Sequence, residues 1–305
     1  MTARIPESAR RLCRVTPLLD APALGCALKL ESLQRTGSFK LRGAATRIAA
    51  ITDEERRRGV IAASAGNHGQ GVALAARALG IKARVIVPST TPRVKREAIA
   101  ALGAELGVEG ASYEQAEAHA RALAGESGAI FVSPFDDDLV IEGNGRWLGE
   151  ELLAQRPDTR TVVVPVGGGG LCSGLASVCA PRGVAVIGVQ PATNCAMHDS
   201  LVAGRALTTY DGGATRCEGL EGPVAERTFR LVREHGVRVV LVDERAILAA
   251  IAFAWRALGL LVEPSAAVGI AALREGLIAP SPSTVVVLTG SNVEPDLVDE
   301  ALASE

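Results

Sequence analysis

The chain has 305 residues, of which 48% are hydrophobic and 3% aromatic, and its 32 Lys and Arg against 34 Asp and Glu give a formal net charge of −2. That length can bury one large or two modest cores. With no basic stretch and no cationic amphipathic segment, the sequence argues against nucleic acid and membrane as partners, leaving small molecules and further copies of itself.

The first residues, MTARIPESARRLCRV, are charged and lack the apolar core of a signal peptide. Six cysteines, Cys13, Cys26, Cys172, Cys179, Cys195 and Cys217, are scattered, with no Cys-x-x-Cys pair. They read as reduced thiols of a cytoplasmic protein, with no histidine at metal-ligand spacing beside them. The segment KLESLQRTGSFKLRGA, residues 29–44, then sets Lys40 among small and polar residues where a packed helix would carry apolar ones. A lysine attacks only as the neutral amine, so desolvation or a neighbouring cation must lower its pKa from about 10.4. Lys29 and Arg42 are the cations at hand. The alternative is a lysine anchored at a helix start by Ser38.

From residue 60 onward, short aliphatic runs alternate with helical periodicity: GVIAAS with GQGVALAARALG, ARVIVP with RVKREAIAALG, AIFVSP with LVIEGNGRWLGEELLA. The alternation continues through TVVVPV, VAVIGVQP, VRVVLV and STVVVL, with helix-like segments such as RAILAAIAFAWRALG between them. This pattern predicts βα units and an α/β fold of open, twisted, mainly parallel sheets flanked by helices. The uncharged run 161–181 contains four consecutive glycines, so it reads as strand, loop and helix rather than as a membrane span. No repeat or low-complexity linker marks a domain boundary.

Several segments carry chemistry. SAGNHGQG follows a strand and opens a helix, and the free N–H groups of Ser64, Ala65, Gly66, Asn67 and His68 suit a carboxylate, unless the segment is only a well-capped helix start. His68 reads as packing or loop-shaping rather than as a proton carrier. Gly167, Gly168, Gly169 and Gly170 lie between a strand and a helix, as in a phosphate cradle or a tight turn without ligand. No Gly-x-Gly-x-x-Gly or Gly-Lys-Ser/Thr loop supports a nucleotide. Arg146 in IEGNGR is either a solvated helix charge or a group favouring a second substrate carboxylate. Glu263 in LVEPSAAVG could be a helix-start carboxylate, and Thr289 in VVVLTGSN lies at the C-terminal edge of a strand, where open α/β sheets bind ligands.

In this order, Ser38-Phe39-Lys40 with Arg42-Gly43-Ala44, SAGNH, the four glycines, EPSA and TGSN resemble the serine/threonine dehydratase family of fold-type II pyridoxal-phosphate (PLP) enzymes, the threonine ammonia-lyase and serine racemase group. The likeness runs from Val15-Thr16-Pro17-Leu18 nearly to the C-terminus. It implies a two-domain, tryptophan synthase β-like fold, with residues 1–44 and 141–305 as the large PLP-binding domain, 45–140 as the small one, and PLP between them. It further implies that Lys40, with Phe39 beside it, carries the cofactor and that Asn67 bonds its phenolic oxygen. The glycine loop would hold the phosphate, Thr289 would face the pyridine nitrogen, and Glu263, if not a helix-start carboxylate, would lie near the ring. Ser64, Ala65, Gly66, Asn67 and His68 would receive the substrate carboxylate. Ser291 replaces a usual glycine and is expected to tighten the space near the ring. Several relatives hold Mg2+ or Ca2+ beside an Ala-Asp-Gly segment; the comparable stretch here is CEGLEG, with Glu218 as a single hard oxygen ligand.

The implied reaction is dehydration of L-threonine or L-serine to a 2-oxo acid and ammonia by a homodimer or homotetramer. Serine racemase, 3-hydroxyaspartate dehydratase and β-replacement synthase are the alternatives. Mammalian-type serine racemases have Ser-Ser-Gly-Asn-His, whose second serine is matched here by Ala65.

Overall fold

A computed structural model describes residues 5–304. The chain divides into two compact units, one of Met1–Arg14 and Phe39–Asn144, the other of Val15–Ser38 and Gly145–Glu305. Each is a parallel α/β layer structure, as the alternating pattern predicts.

In the first unit the strands are β3 (Val60–Ala63), β4 (Ala83–Val87), β5 (Glu105–Val108) and β6 (Ile130–Phe131), in the order β5-β4-β3-β6 and all parallel. All four β3 residues are buried, which is why they read as an uninterrupted aliphatic run. The edge strand β5, ELGV, is half exposed and carries no such run. Helix Tyr113–Ser127 presents Ala116, Ala120 and Ala124 at a spacing of four, and this small-residue face packs on Ile61, Ala63 and Ile86.

The helix Lys40–Ala49 packs against the helix Asn67–Ala78. A Cβ on Gly71 would lie 3.2 Å from the Lys40 carbonyl group, so the two helix starts meet backbone to backbone. The Gly43 N–H donates to Asn144 Oδ1 at 2.8 Å, and a Cβ on Gly43 would sit 2.6 Å from the Asn144 amide. Asn144 lies in a π-helical turn, Glu142–Trp147, a rare form that is frequent at functional sites. These approaches group residues 39–44 with the segment that follows them, whereas the sequence reading placed 1–44 in the larger domain.

The second unit contains β1 (Leu18–Ala21), β2 (Cys26–Leu30), β7 (Thr161–Pro165), β8 (Ala185–Pro191), β9 (Arg238–Val242) and β10 (Thr284–Leu288), in the order β1-β2-β10-β7-β8-β9. Among the described strands of this sheet only β1 is antiparallel to its neighbour. Helices Glu244–Leu258 and Pro264–Arg274 pack on each other and close the core over the sheet. The run 161–181 is β7, the glycine loop and helix Gly170–Cys179, and among the described residues no helix is long and apolar enough to cross a membrane.

An ion pair lies inside this unit. Lys29 Nζ, fully buried, is 2.6 Å from Glu151 Oε1 and also donates to Thr16 O and Gln155 Oε1. The Glu151 carboxylate in turn accepts from the Thr16 N–H at 3.1 Å. The Lys29 charge is therefore neutralised by a carboxylate at contact distance. Glu151→Ala should cost about 3–5 kcal/mol, the usual loss when one partner of a buried pair is removed. Urea denaturation checks this, and Lys29→Met with Glu151→Leu should recover most of the loss. A single variant with an unchanged midpoint would mean that Gln155 and Thr16 suffice for the ammonium.

Candidate active site

In the first unit the candidate residues gather where two neighbouring parallel strands end. Lys40 is the first residue of its helix and is half-buried; its Nζ donates to Pro134 O at 3.0 Å and lies 5.3 Å from the centre of the Phe39 ring. The helix has no side-chain cap, and Ser38 Oγ, fully buried, has no hydrogen-bond partner among the described residues. Ser38 thus does not anchor Lys40 as a helix cap.

The segment after β3 makes a turn of its own, with the Gly66 N–H donating to Ser64 Oγ at 3.2 Å, before helix Asn67–Ala78 begins with no capping side chain. Ala65, Gly66 and Asn67 are half-exposed in this turn. The His68 ring is buried, with Nε2 2.8 Å from Val132 O. A carbonyl only accepts, so Nε2 carries the proton, and Nδ1 is left buried with no hydrogen-bond partner among the described residues. Burial first, then the charge of Lys40, pushes the His68 pKa down to about 3. A neutral imidazole fixed to a backbone carbonyl shapes the loop, as its sequence context suggests. Lys40 and His68 both bond the segment 132–134 that follows β6, so this stretch of backbone sets the position of each.

In the second unit the glycine loop follows β7. Gly169 has φ of +92°, and a Cβ there would lie 2.7 Å from Met197 Cε and 3.0 Å from Thr228 Oγ1, so glycine is required both by conformation and by space. Thr228 Oγ1 donates to Gly168 O at 2.7 Å and fixes the peptide plane. Helix Gly170–Cys179 starts at the loop with no side-chain cap, leaving its first N–H groups for an anion.

Thr289 directly follows β10 and is buried. Glu263 precedes helix Pro264–Arg274 but does not cap it with its side chain. Its N–H donates to Gly290 O, and its carboxylate lies so close over Gly290 that a Cβ there would be 2.5 Å away. Glu263 thus stands at the start of this helix, with its carboxylate lying beside Gly290. Ser291 turns away from this point, its Oγ donating to Ser32 O at 3.1 Å and its N–H to Gly37 O at 2.9 Å. Its expected role of tightening the space near a ring gives way to holding the 32–38 segment, which Asn292 Nδ2 also does by donating to Thr36 O at 2.8 Å.

Arg146 is not a solvated helix charge: half-buried, it donates from Nη1 to Ser177 Oγ at 3.0 Å. Glu218 is exposed at the start of a 3-10 turn, whose Gly219 N–H donates to Ser265 Oγ. Sequence reasoning passed over Thr228, Met197 and the 132–134 carbonyls, none of which belongs to a local motif. All six cysteines are free thiols, as read from the sequence, but one of them has ligating neighbours that this reading did not note. Cys195 and His198 stand three residues apart, and with Asp199 they present S, N and O atoms within 4.8 Å of one another.

In the first unit a half-buried primary amine at a polar helix start suits the carbonyl carbon of PLP, and in the second a glycine loop at an uncapped helix N-terminus suits a phosphate. The comparisons agree. The chain is 40% identical over 278 residues to an L-threonine ammonia-lyase of Thermotoga maritima, covering 90% of this chain and 69% of that protein. Its fold matches the processed form of threonine deaminase isoform 2 from Solanum lycopersicum with a TM-score of 0.92 at 34% identity, over 97% of this chain and 84% of that one. It matches maize serine racemase with a TM-score of 0.89 at 29% identity, over 99% and 98%. The family model described as pyridoxal-phosphate dependent enzyme spans residues 9–290, and the chain belongs to that family.

Proposed function

We propose that this chain is a PLP-dependent ammonia-lyase that dehydrates L-threonine or L-serine to a 2-oxo acid and ammonia in the cytoplasm, as a homodimer or homotetramer. The observation that carries this reading is the match, over nearly the whole chain, to proteins named threonine ammonia-lyase and threonine deaminase, together with a lysine whose Nζ is held at Pro134 O and whose backbone packs on Gly71. Bound PLP supplies the electron sink that acidifies the substrate α C–H bond.

The remaining roles fall to the residues of the chain. Lys40 Nζ, which donates to the Pro134 carbonyl, would hold the cofactor covalently, and its free amine would serve as the general base for the substrate α-proton. Phe39 flanks that amine. The glycine loop and the start of helix Gly170–Cys179 hold the phosphate, and Asn67 donates to the phenolic oxygen. Ser64 and the N–H groups of Ala65, Gly66, Asn67 and His68 take the substrate carboxylate. Thr289 faces the pyridine nitrogen with a neutral hydroxyl and does not hold it protonated, which suits elimination better than transamination. Glu263 lies alongside it.

Lys40→Ala should abolish covalent cofactor attachment and lower kcat by at least about 10²–10⁴-fold, the size of a general-base contribution. Mass spectrometry after borohydride reduction reads the attachment site. Cofactor found on Lys82 or Lys95 would overturn the assignment.

A racemase needs an acid on the cofactor face opposite Lys40, since one lysine returns the proton to the side from which it came. Ala65 offers only a methyl group at the position matched by the racemase serine. The unmodified protein should therefore leave L-serine almost free of D-serine after partial turnover, and Ala65→Ser should raise the D-serine share on chiral chromatography. Substantial D-serine from the unmodified protein would put the racemase reading first.

We further propose that Glu218 contributes one oxygen to a Mg2+ or Ca2+ site, supported by its exposed carboxylate at the turn held by Ser265. Chelation should then lower the Tm, and either ion should restore it by mass action. An unchanged Tm in chelator, with no metal in the purified protein, removes this role.

A further inference from the structure

A second cluster of ligating atoms lies outside the residues given roles above. Cys195 occupies the N-cap position of helix Ala196–Ala203, after β8, with His198 and Asp199 three and four residues further on. That spacing turns side chains to one side of a helix. Asp199 Oδ1 is 3.6 Å from Cys195 Sγ and 3.0 Å from His198 Nδ1. Around a tetrahedral zinc ion, with bonds of about 2.3 Å to sulfur and about 2.0 Å to nitrogen and oxygen, the S···O and N···O edges come to about 3.5 and 3.3 Å. Both observed separations lie within a few tenths of an ångström of those edges.

The carboxylate is oriented from behind. Tyr210 OH donates to Asp199 Oδ2 at 2.8 Å, which leaves Oδ1 directed at the sulfur and the imidazole. The phenolic oxygen is itself placed by the Cys195 N–H at 3.3 Å, and the His198 N–H is fixed to Gln190 Oε1 at 2.9 Å. Hydrogen bonds of this kind to a ligating carboxylate are the usual outer support of a metal site. The His198 and Asp199 side chains are 34% and 42% exposed, so the cluster opens to solvent on one side and gives an ion both entry and a fourth position.

We propose that Cys195 Sγ, His198 Nδ1 and Asp199 Oδ1 bind one zinc ion, with water as the fourth ligand and Tyr210 holding the carboxylate in place. On binding, the Zn–S bond forms and the thiol proton passes to solvent. A thiolate and an imidazole select zinc over Mg2+ and Ca2+, which prefer oxygen donors, so this site is chemically distinct from the one proposed at Glu218. It is independent of the reaction assigned above.

Cobalt titration of the metal-free, PLP-loaded protein tests it. One equivalent of Co2+ should give tetrahedral visible bands and a thiolate-to-cobalt charge-transfer band, and one equivalent of Zn2+ should remove them while millimolar Mg2+ does not. Cys195→Ser should abolish the charge-transfer band, and His198→Ala and Asp199→Asn should each weaken binding at least tenfold. Tyr210→Phe should keep the band but weaken binding by about 10–100-fold, as loss of an outer hydrogen bond does. Circular dichroism and the PLP absorbance report that each variant is folded. Absence of stoichiometric binding by the folded unmodified protein, or a charge-transfer band that survives Cys195→Ser, would overturn the proposal.

Discussion

Parallel pairing of three adjacent strands, β2, β10 and β7, is the constraint on which the second unit depends. The register runs Val285↔Ala27 through Leu288↔Leu30 on one side of β10 and Thr284↔Thr161 through Val286↔Val163 on the other. Because the strands run the same way, their C-terminal ends lie along one edge of the sheet, the edge at which open α/β sheets take ligands. From that edge emerge the 31–38 segment, Thr289 and the glycine loop. Three pieces of sequence more than a hundred residues apart are thus gathered by backbone hydrogen bonds before any side chain contributes.

The first unit repeats the device with β3 and β6. Their C-terminal ends carry the Ser64–Asn67 turn and the 132–134 segment, and the latter accepts hydrogen bonds from both Lys40 and His68. The helix that starts at Lys40 makes two close approaches, a tight one at Gly71 and one at Gly43 where a Cβ would collide with the Asn144 amide. The packing of two helix starts thus fixes the backbone from which the Lys40 side chain projects.

Charge is handled by local compensation. Lys29 is neutralised by Glu151 within a network that also satisfies Thr16 and Gln155. His68, enclosed and beside a lysine, avoids charge by remaining neutral. Buried thiols such as Cys172, pushed up to about 12, stay protonated and chemically quiet.

The sequence by itself determined the α/β class, the main strands, the family and the order of the motifs around Lys40, Asn67, the glycine loop and Thr289. Strand runs such as VIAA and TVVVP declare themselves because burial on both faces removes polar residues, and a glycine loop declares itself by composition. Only the tertiary structure decided partners. It gave Lys29 to Glu151, 122 residues away, turned Ser291 toward Ser32 instead of a ring, grouped residues 39–44 with the first unit, and brought Tyr210 behind the Asp199 carboxylate. Local periodicity and turn chemistry report what a segment does to its own backbone, whereas the partner of a buried charge or a ligating atom is set by strand pairing and helix packing between segments distant in the chain.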